Sequence, residues 1–157
     1  MHQQVKDFLI QTREKYPKHF KDCKVLELGS LDWNGTPREF FENCEYTGVD
    51  MAGGTGVDVV CLASKYDTSE RFDVVITTEM LEHDREWKES LLNAVRLLKI
   101  GGILIGTAAN INREPHCLEI GFYRNISKND VISVLGKTTK IEEDDNKEDI
   151  RFIYTKN

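Results

Sequence analysis

Apolar positions along the chain recur in two rhythms. Val5, Phe8, Leu9, Thr12 and Tyr16 fall at helical spacing, which predicts an amphipathic helix over residues 3–20 with Pro17 and His19 at its end. Short apolar runs then occupy 25–28, 46–49, 57–62, 72–77 and 103–107, each bounded by glycine, acid or polar residues in the manner of strands. The run at 72–77, rich in β-branched residues, reads as a central strand covered on both faces. Thr36-Pro37 signals a helix start after the first strand, and the three glycines within 53–56 impose a loop after the second. Trp87, Leu91, Val95 and Leu98 stand at i, i+4, i+8 and i+11 and predict a core-facing helix that Gly101-Gly102 stops. Ser127 opens a further helix through Leu135, with Asp130 in its first turn. Residues 138–141 and 150–154 pair as a hairpin across an acidic, solvated turn.

Strand and helix therefore alternate, which requires right-handed crossovers and a parallel sheet with helices on both faces. The expected fold is α/β, a Rossmann-like three-layer sandwich with a seven-stranded, mostly parallel sheet and a C-terminal antiparallel hairpin. No internal repeat or linker interrupts residues 1–157, so one domain is expected. An irregular stretch at 108–124 collects Asn110, Asn112, Arg113, His116, Glu119, Tyr123 and Arg124, and is long enough to be functional.

Composition narrows the function classes. With 157 residues, 39% of them hydrophobic, the chain can bury a substantial core. A net charge of −6 and the lack of any Lys/Arg run argue against non-specific nucleic-acid binding, which needs a basic patch. The four cysteines, at 23, 44, 61 and 117, form no CxxC pair and no Cys/His spacing of a metal site, so neither zinc nor a disulfide framework is expected. Charges interrupt the apolar N-terminal positions, which argues against a signal peptide or a membrane span and makes a cytoplasmic protein the expectation.

The stretch 24–50 concentrates the chemistry. It places a strand, a glycine turn at Gly29, a helix start and a second strand ending at Asp50 in one unit. In an α/β sheet a ligand sits beyond the carboxyl ends of the strands, so backbone, helix N-terminus and carboxylate converge on one molecule. Glu27, between Leu26 and Leu28 in a buried strand, needs a polar partner.

Four motifs in register, Val-Leu-Glu-Leu-Gly-Ser at 25–30, Tyr-Thr-Gly-Val-Asp at 46–50, Phe-Asp-Val-Val-Ile-Thr-Thr-Glu-Met-Leu-Glu-His at 72–83 and the Leu-Leu-Lys-Ile-Gly-Gly-Ile-Leu-Ile-Gly-Thr run at 97–107, carry a resemblance. The pattern resembles the class I S-adenosylmethionine-dependent methyltransferases, in their methyltransferase type 11-like branch. The resemblance implies S-adenosyl-L-methionine as cofactor and S-adenosyl-L-homocysteine as product. By it, Asp50 accepts both ribose hydroxyls, Met51 packs on adenine, and Leu62 and Ala63 meet the adenine amino group through backbone. It places Glu27 near the cofactor's ammonium end, with Gly29, Ser30, Asn34, Gly35, Thr78 and Glu79 completing the cofactor site. The sequence departs from the family's glycine-rich turn, since Leu31 and Trp33 stand where glycines are usual, and from its third-strand acid, since Leu62 stands there. Trp33 is either a lid on the cofactor or ordinary packing.

Methyl transfer is an in-line displacement, so an enzyme must position the nucleophile and remove its proton, and the chemistry requires no metal. Glu79, His83 and His116 are the candidate catalytic residues, neutral imidazole being best matched to pH 7. The expected division is an N-terminal helix (1–22), a cofactor-binding half (23–109), a substrate loop (110–126) and a C-terminal helix and hairpin (127–157). The acceptor is expected to be a small molecule or a biopolymer end. Two rival readings are a catalytically inactive cofactor-binding partner and an NAD-dependent dehydrogenase, against which the missing GxGxxG speaks. Oligomeric state is not legible in the pattern.

Overall fold

The computed structural model describes residues 1–117 and 121–157, so Glu119 of the long loop lies outside the described residues. Seven strands form one sheet in the order β3-β2-β1-β4-β5-β7-β6. β1 (Lys24–Leu28), β2 (Glu45–Asp50), β3 (Val59–Val60), β4 (Phe72–Thr78) and the start of β5 (Leu98–Ala109) run parallel. β7 (Asp149–Thr155) pairs antiparallel with β5 and with the edge strand β6 (Lys140–Glu143).

Side-chain alternation along the central strands divides the core into two. Val25, Val74, Ile76, Ile103 and Ile105 point to one face, where α1 (Gln3–Lys15) covers them with Val5, Phe8 and Leu9. Leu26, Leu28, Val75 and Leu104 point to the other, where α2 (Trp87–Leu97) and α3 (Lys128–Leu135) supply Trp87, Leu91, Leu97, Val131 and Leu135. The result is the three-layer sandwich that the alternation implies. Among the described residues, no helix is long and apolar enough to cross a membrane.

Three expected elements differ. The helix signalled by Thr36-Pro37 is a single 3-10 turn, Pro37–Phe40; the Thr36 hydroxyl caps it, but Phe41 is already extended and Asn43 takes a left-handed φ of 52° to feed β2. The third strand shrinks from 57–62 to two exposed residues, Val59 and Val60, with the Asp58 and Cys61 amides on either side donating to the Gly48 and Asp50 carbonyls of β2. Gly101-Gly102 does not end α2. The helix stops at Leu97 and the chain enters β5 at once, with a register shift opposite Phe72 and Val74 that Gly101 accommodates at a φ of +79°.

α3 begins as expected. Ser127 accepts from the Asp130 amide and Asp130 accepts from the Ser127 amide, a reciprocal cap. Ser127→Ala should cost about 1 kcal/mol, read as a drop of about 2–4 °C in thermal midpoint.

Candidate active site

β1, β2 and β4 lie side by side, so their carboxyl ends deliver Gly29-Ser30, Asp50-Met51 and Thr78-Glu79 to the rim of one cleft of about 820 Å³. The chain order reverses between β1 and β4, which is where α/β sheets open a crevice. Leu62, Ala63, His83, His116, Cys117 and Phe122 line the cleft as well. Met1 and His2, leading into α1, also line it.

Asp50 anchors the floor. Its Oδ2 accepts from the Leu31 amide at 3.1 Å and its Oδ1 from the Ala52 amide at 2.9 Å, so both flanking loops are fixed by the same carboxylate. Each oxygen keeps a further lone pair for a ligand in the cleft.

The glycine turn is shaped by what its amides already do. Gly29 and Ser30 donate to the Val49 carbonyl, Leu31 to Asp50, Asp32 to the Thr55 carbonyl, and Gly35 to Asp32 Oδ1. The loop thus offers room more than donors. Gly29, at a φ of +83°, has the Met80 side chain where a Cβ would stand, at 2.5 Å. Asn34 receives the Met1 amino group on its backbone and side-chain oxygens. A 3-10 turn of four residues provides no helix dipole, so the helix N-terminus expected from Thr36-Pro37 is not part of the site. Trp33 is 79% exposed at the cleft's edge, which overturns the packing reading for it.

Glu27 is buried and finds its partner in Tyr46, whose hydroxyl donates to Oε2 at 2.8 Å; Arg38 lies over that ring at 4.4 Å. Burial pushes the Glu27 carboxyl up to about 7, against the opposing pull of the Tyr46 hydrogen bond. Its ordinary value is 4.5, so between that pH and 7 the folded protein holds a proton that the unfolded chain has lost. Stability must then fall as pH rises through this window, at up to about 1.4 kcal/mol per unit. Denaturant titrations between pH 5 and 8 should show that slope, and Glu27→Gln should flatten it.

Glu79 has a left-handed backbone at a φ of 53°. Thr107 Oγ1 donates to its Oε1 at 2.8 Å, while Oε2 is buried without a partner. Glu82, three residues on, is fully buried and neither oxygen makes a close hydrogen bond, its own amide and that of Ala109 lying near enough only to oppose the effect of burial. Burial raises both carboxyls, and the charge of Glu79 raises Glu82 further. His83, His116 and Tyr123 meet edge to face, with ring centroids 5.1 to 5.6 Å apart. Cys117 joins this group, its ligand atom and those of the two histidines all lying within 4.8 Å of one another. The Cys/His grouping that sequence spacing did not suggest is therefore made by the fold.

All the candidates from the sequence line the one cleft: Glu27, Gly29, Ser30, Asn34, Gly35, Asp50, Met51, Leu62, Ala63, Thr78, Glu79, His83 and His116. Glu82 was missed. Its position one helical step beyond Glu79 and beside His83 was the available signal. Met80 and Tyr46 were missed too, since nothing local marks a residue that fills a glycine's place or pairs an acid across a strand.

A family model for a methyltransferase domain matches residues 37–106, which span β2 to the middle of β5. That segment of the chain is similar to the methyltransferase domain family, as the motifs in the sequence led us to expect. Its fold is similar to the N-methyltransferase NodS of Bradyrhizobium japonicum WM9 bound to S-adenosylhomocysteine, at 16% identity and TM-score 0.67, covering 96% of this chain and 86% of that one. It is also similar to the 1,6-didemethyltoxoflavin-N1-methyltransferase of Burkholderia thailandensis, at 16% identity and TM-score 0.66 over 90% and 74%. A third likeness is to the N-terminal domain of EvdMO1, at 19% identity and TM-score 0.68 over 99% and 84%. No curated protein matches the sequence. Solved structures of similar fold hold S-adenosylmethionine or S-adenosylhomocysteine, and no comparison favours the dehydrogenase or the inactive partner.

The cleft suits that cofactor. Its volume is in the usual range of about 300–1,000 Å³ for ligand sites, and its lining includes the acids Glu27 and Glu79, whose buried carboxyls suit a cationic group. Ser30 Oγ is buried without a partner at the same rim.

Proposed function

We propose that the methyltransferase transfers a methyl group to a small molecule or a biopolymer end, with the cofactor lying across the ends of β1 and β2. When bound, the cofactor supplies a methyl group already activated by its sulfonium. The observation that carries the reading is Asp50, a carboxylate at the end of β2 with unspent lone pairs facing the cleft. Asp50 receives the ribose hydroxyls. Met51, 61% exposed at the rim, covers adenine, and the backbone of Leu62 and Ala63 meets the adenine edge. Glu27 faces the cofactor's ammonium group, Gly29, Ser30 and Thr78 allow close backbone approach, Asn34 and Gly35 border its amino-acid end, and Trp33 acts as a lid.

The acceptor enters where His2, His83, His116 and Phe122 line the cleft. Glu79, His83 and His116 position it and its proton. One of the similar folds has 1,6-didemethyltoxoflavin bound and another was determined in the presence of D-fucose, which supports an acceptor of modest size.

Calorimetric titration with S-adenosylhomocysteine tests the cofactor half of this reading, and absence of binding would sink it. An ammonium beside Glu27 favours its ionised form, so binding near pH 7 should release a proton. Titrations in two buffers of different ionisation enthalpy should detect the release in the wild type and none in Glu27→Gln.

A further inference from the structure

Three acidic oxygens and an imidazole nitrogen converge on the acceptor side of the cleft with no hydrogen bond among them. Glu79 Oε2 and both oxygens of Glu82 are buried and make no close hydrogen bond. The ligand atoms of Glu79, Glu82 and His116 all lie within 4.8 Å of one another, and His116 Nε2 is 3.8 Å from Glu82 Oε1. That separation is too long for a hydrogen bond. It matches two ligands of one ion, since donors about 2.1 Å from a metal stand about 3 to 4.2 Å apart.

The histidine is set for ligation. His116 Nδ1 lies 3.3 Å from the Glu114 carbonyl, which can only accept, so the proton of the neutral ring sits on Nδ1 and the Nε2 lone pair faces Glu82. Glu79 is likewise oriented from behind, its Oε1 held by the Thr107 hydroxyl while Oε2 stays open. Backbone or hydroxyl partners on the far side of a ligand are the usual support of a metal site.

We propose that Glu79, Glu82 and His116 form a binding site for one divalent first-row transition cation at the acceptor side of the cleft. Two carboxylates with an imidazole suit Mn²⁺, Fe²⁺, Co²⁺ or Zn²⁺ better than Mg²⁺, which prefers an all-oxygen shell. His83 and Cys117 stand beside His116 and extend the donor set. The site departs from the metal-free chemistry expected from the sequence. Resting on the acceptor placement above, it assigns oxygen acceptors to the enzyme. A cation with open positions towards the cleft holds a hydroxyl there and lowers its pKa, leaving His116 as ligand instead of base.

The test uses the full chain stripped of metal with chelator. Mn²⁺ binding is followed by loss of the free-ion electron paramagnetic resonance signal, and Co²⁺ binding by visible absorption. The wild type should bind one equivalent, and Glu82→Gln and His116→Ala should each weaken binding at least tenfold. Both variants should still bind S-adenosylhomocysteine, which shows them folded. Saturation by neither ion in the wild type, or wild-type affinity in Glu82→Gln, would overturn the proposal. Failure of S-adenosylhomocysteine binding with the cation still bound would instead count against the cofactor placement alone.

Discussion

Replacing Asp50 by alanine is expected to weaken S-adenosylhomocysteine binding by about two to four orders of magnitude. Two hydrogen bonds to a charged acceptor contribute about 1.5–3 kcal/mol each, and every 1.4 kcal/mol is about tenfold in affinity. The loss has a second source, because the same carboxylate fixes the Leu31 and Ala52 amides. Without it the loops on both sides of the cofactor position lose their common anchor. Asp50→Asn separates the two contributions. Its amide oxygen can still accept from one loop amide, but the charge is gone and bidentate acceptance with it. Calorimetry should therefore place Asp50→Asn between wild type and Asp50→Ala in affinity, with a thermal midpoint close to wild type. Full retention of affinity in Asp50→Ala would remove the assigned ribose contact.

Gly48→Ala should be the most damaging single change to stability near the site, at about 3 kcal/mol or more. A Cβ there would stand 2.1 Å from the Gly56 carbonyl oxygen and 2.7 Å from Ser30 Oγ. The first of these is backbone and cannot rotate away. Gly48 is also clamped at both ends of its peptide, its amide donating to Asp58 Oδ2 at 2.7 Å and its carbonyl accepting from the Asp58 amide at 2.8 Å. Arg38 holds the same Asp58 at 3.0 Å. An added methyl must lift the 54–58 loop off β2, breaking these contacts and moving Ser30 at the rim. Overpacking of this kind costs about 1–3 kcal/mol, and the lost hydrogen bonds about 1 kcal/mol each. The thermal midpoint should fall by roughly 6–12 °C, with weaker S-adenosylhomocysteine binding. A midpoint within 2 °C or so of wild type would show the loop to be far softer than these contacts imply.

The legibility of this protein in its sequence follows the range of the interactions involved. β4 was readable because five of its seven residues are buried, and a strand covered on both faces must be apolar throughout. α3 was readable from its own cap, and the C-terminal hairpin from two β-branched runs around a charged turn. The failures sit where local signals competed with tertiary ones. Thr36-Pro37 does cap and open a helical turn, yet Phe41 must stack on Phe20, at 4.7 Å between rings, and the helix ends after one turn to let it. The Gly101-Gly102 stop signal was real but served a strand irregularity, because Gly101 and Gly102 are bonded to Lys156 beside β7.

By itself the sequence determined the layer order, the strand that ends at Asp50 and the likeness to a methyltransferase domain, since these follow from hydrophobic period and from motifs that keep their spacing along the chain. Only the tertiary structure decided the acceptor side. Glu82 reads locally as one more surface acid on a polar turn, and His116 as a loop residue 34 positions away. Parallel β4 and β5 bring Glu79 to Thr107, and the 122–126 segment returns over the turn through the Arg124 amide on the Glu82 carbonyl. That closure removes water from two carboxylates at once. Burial and unpaired charge are properties of a surrounding, and no residue carries its surroundings in its own name.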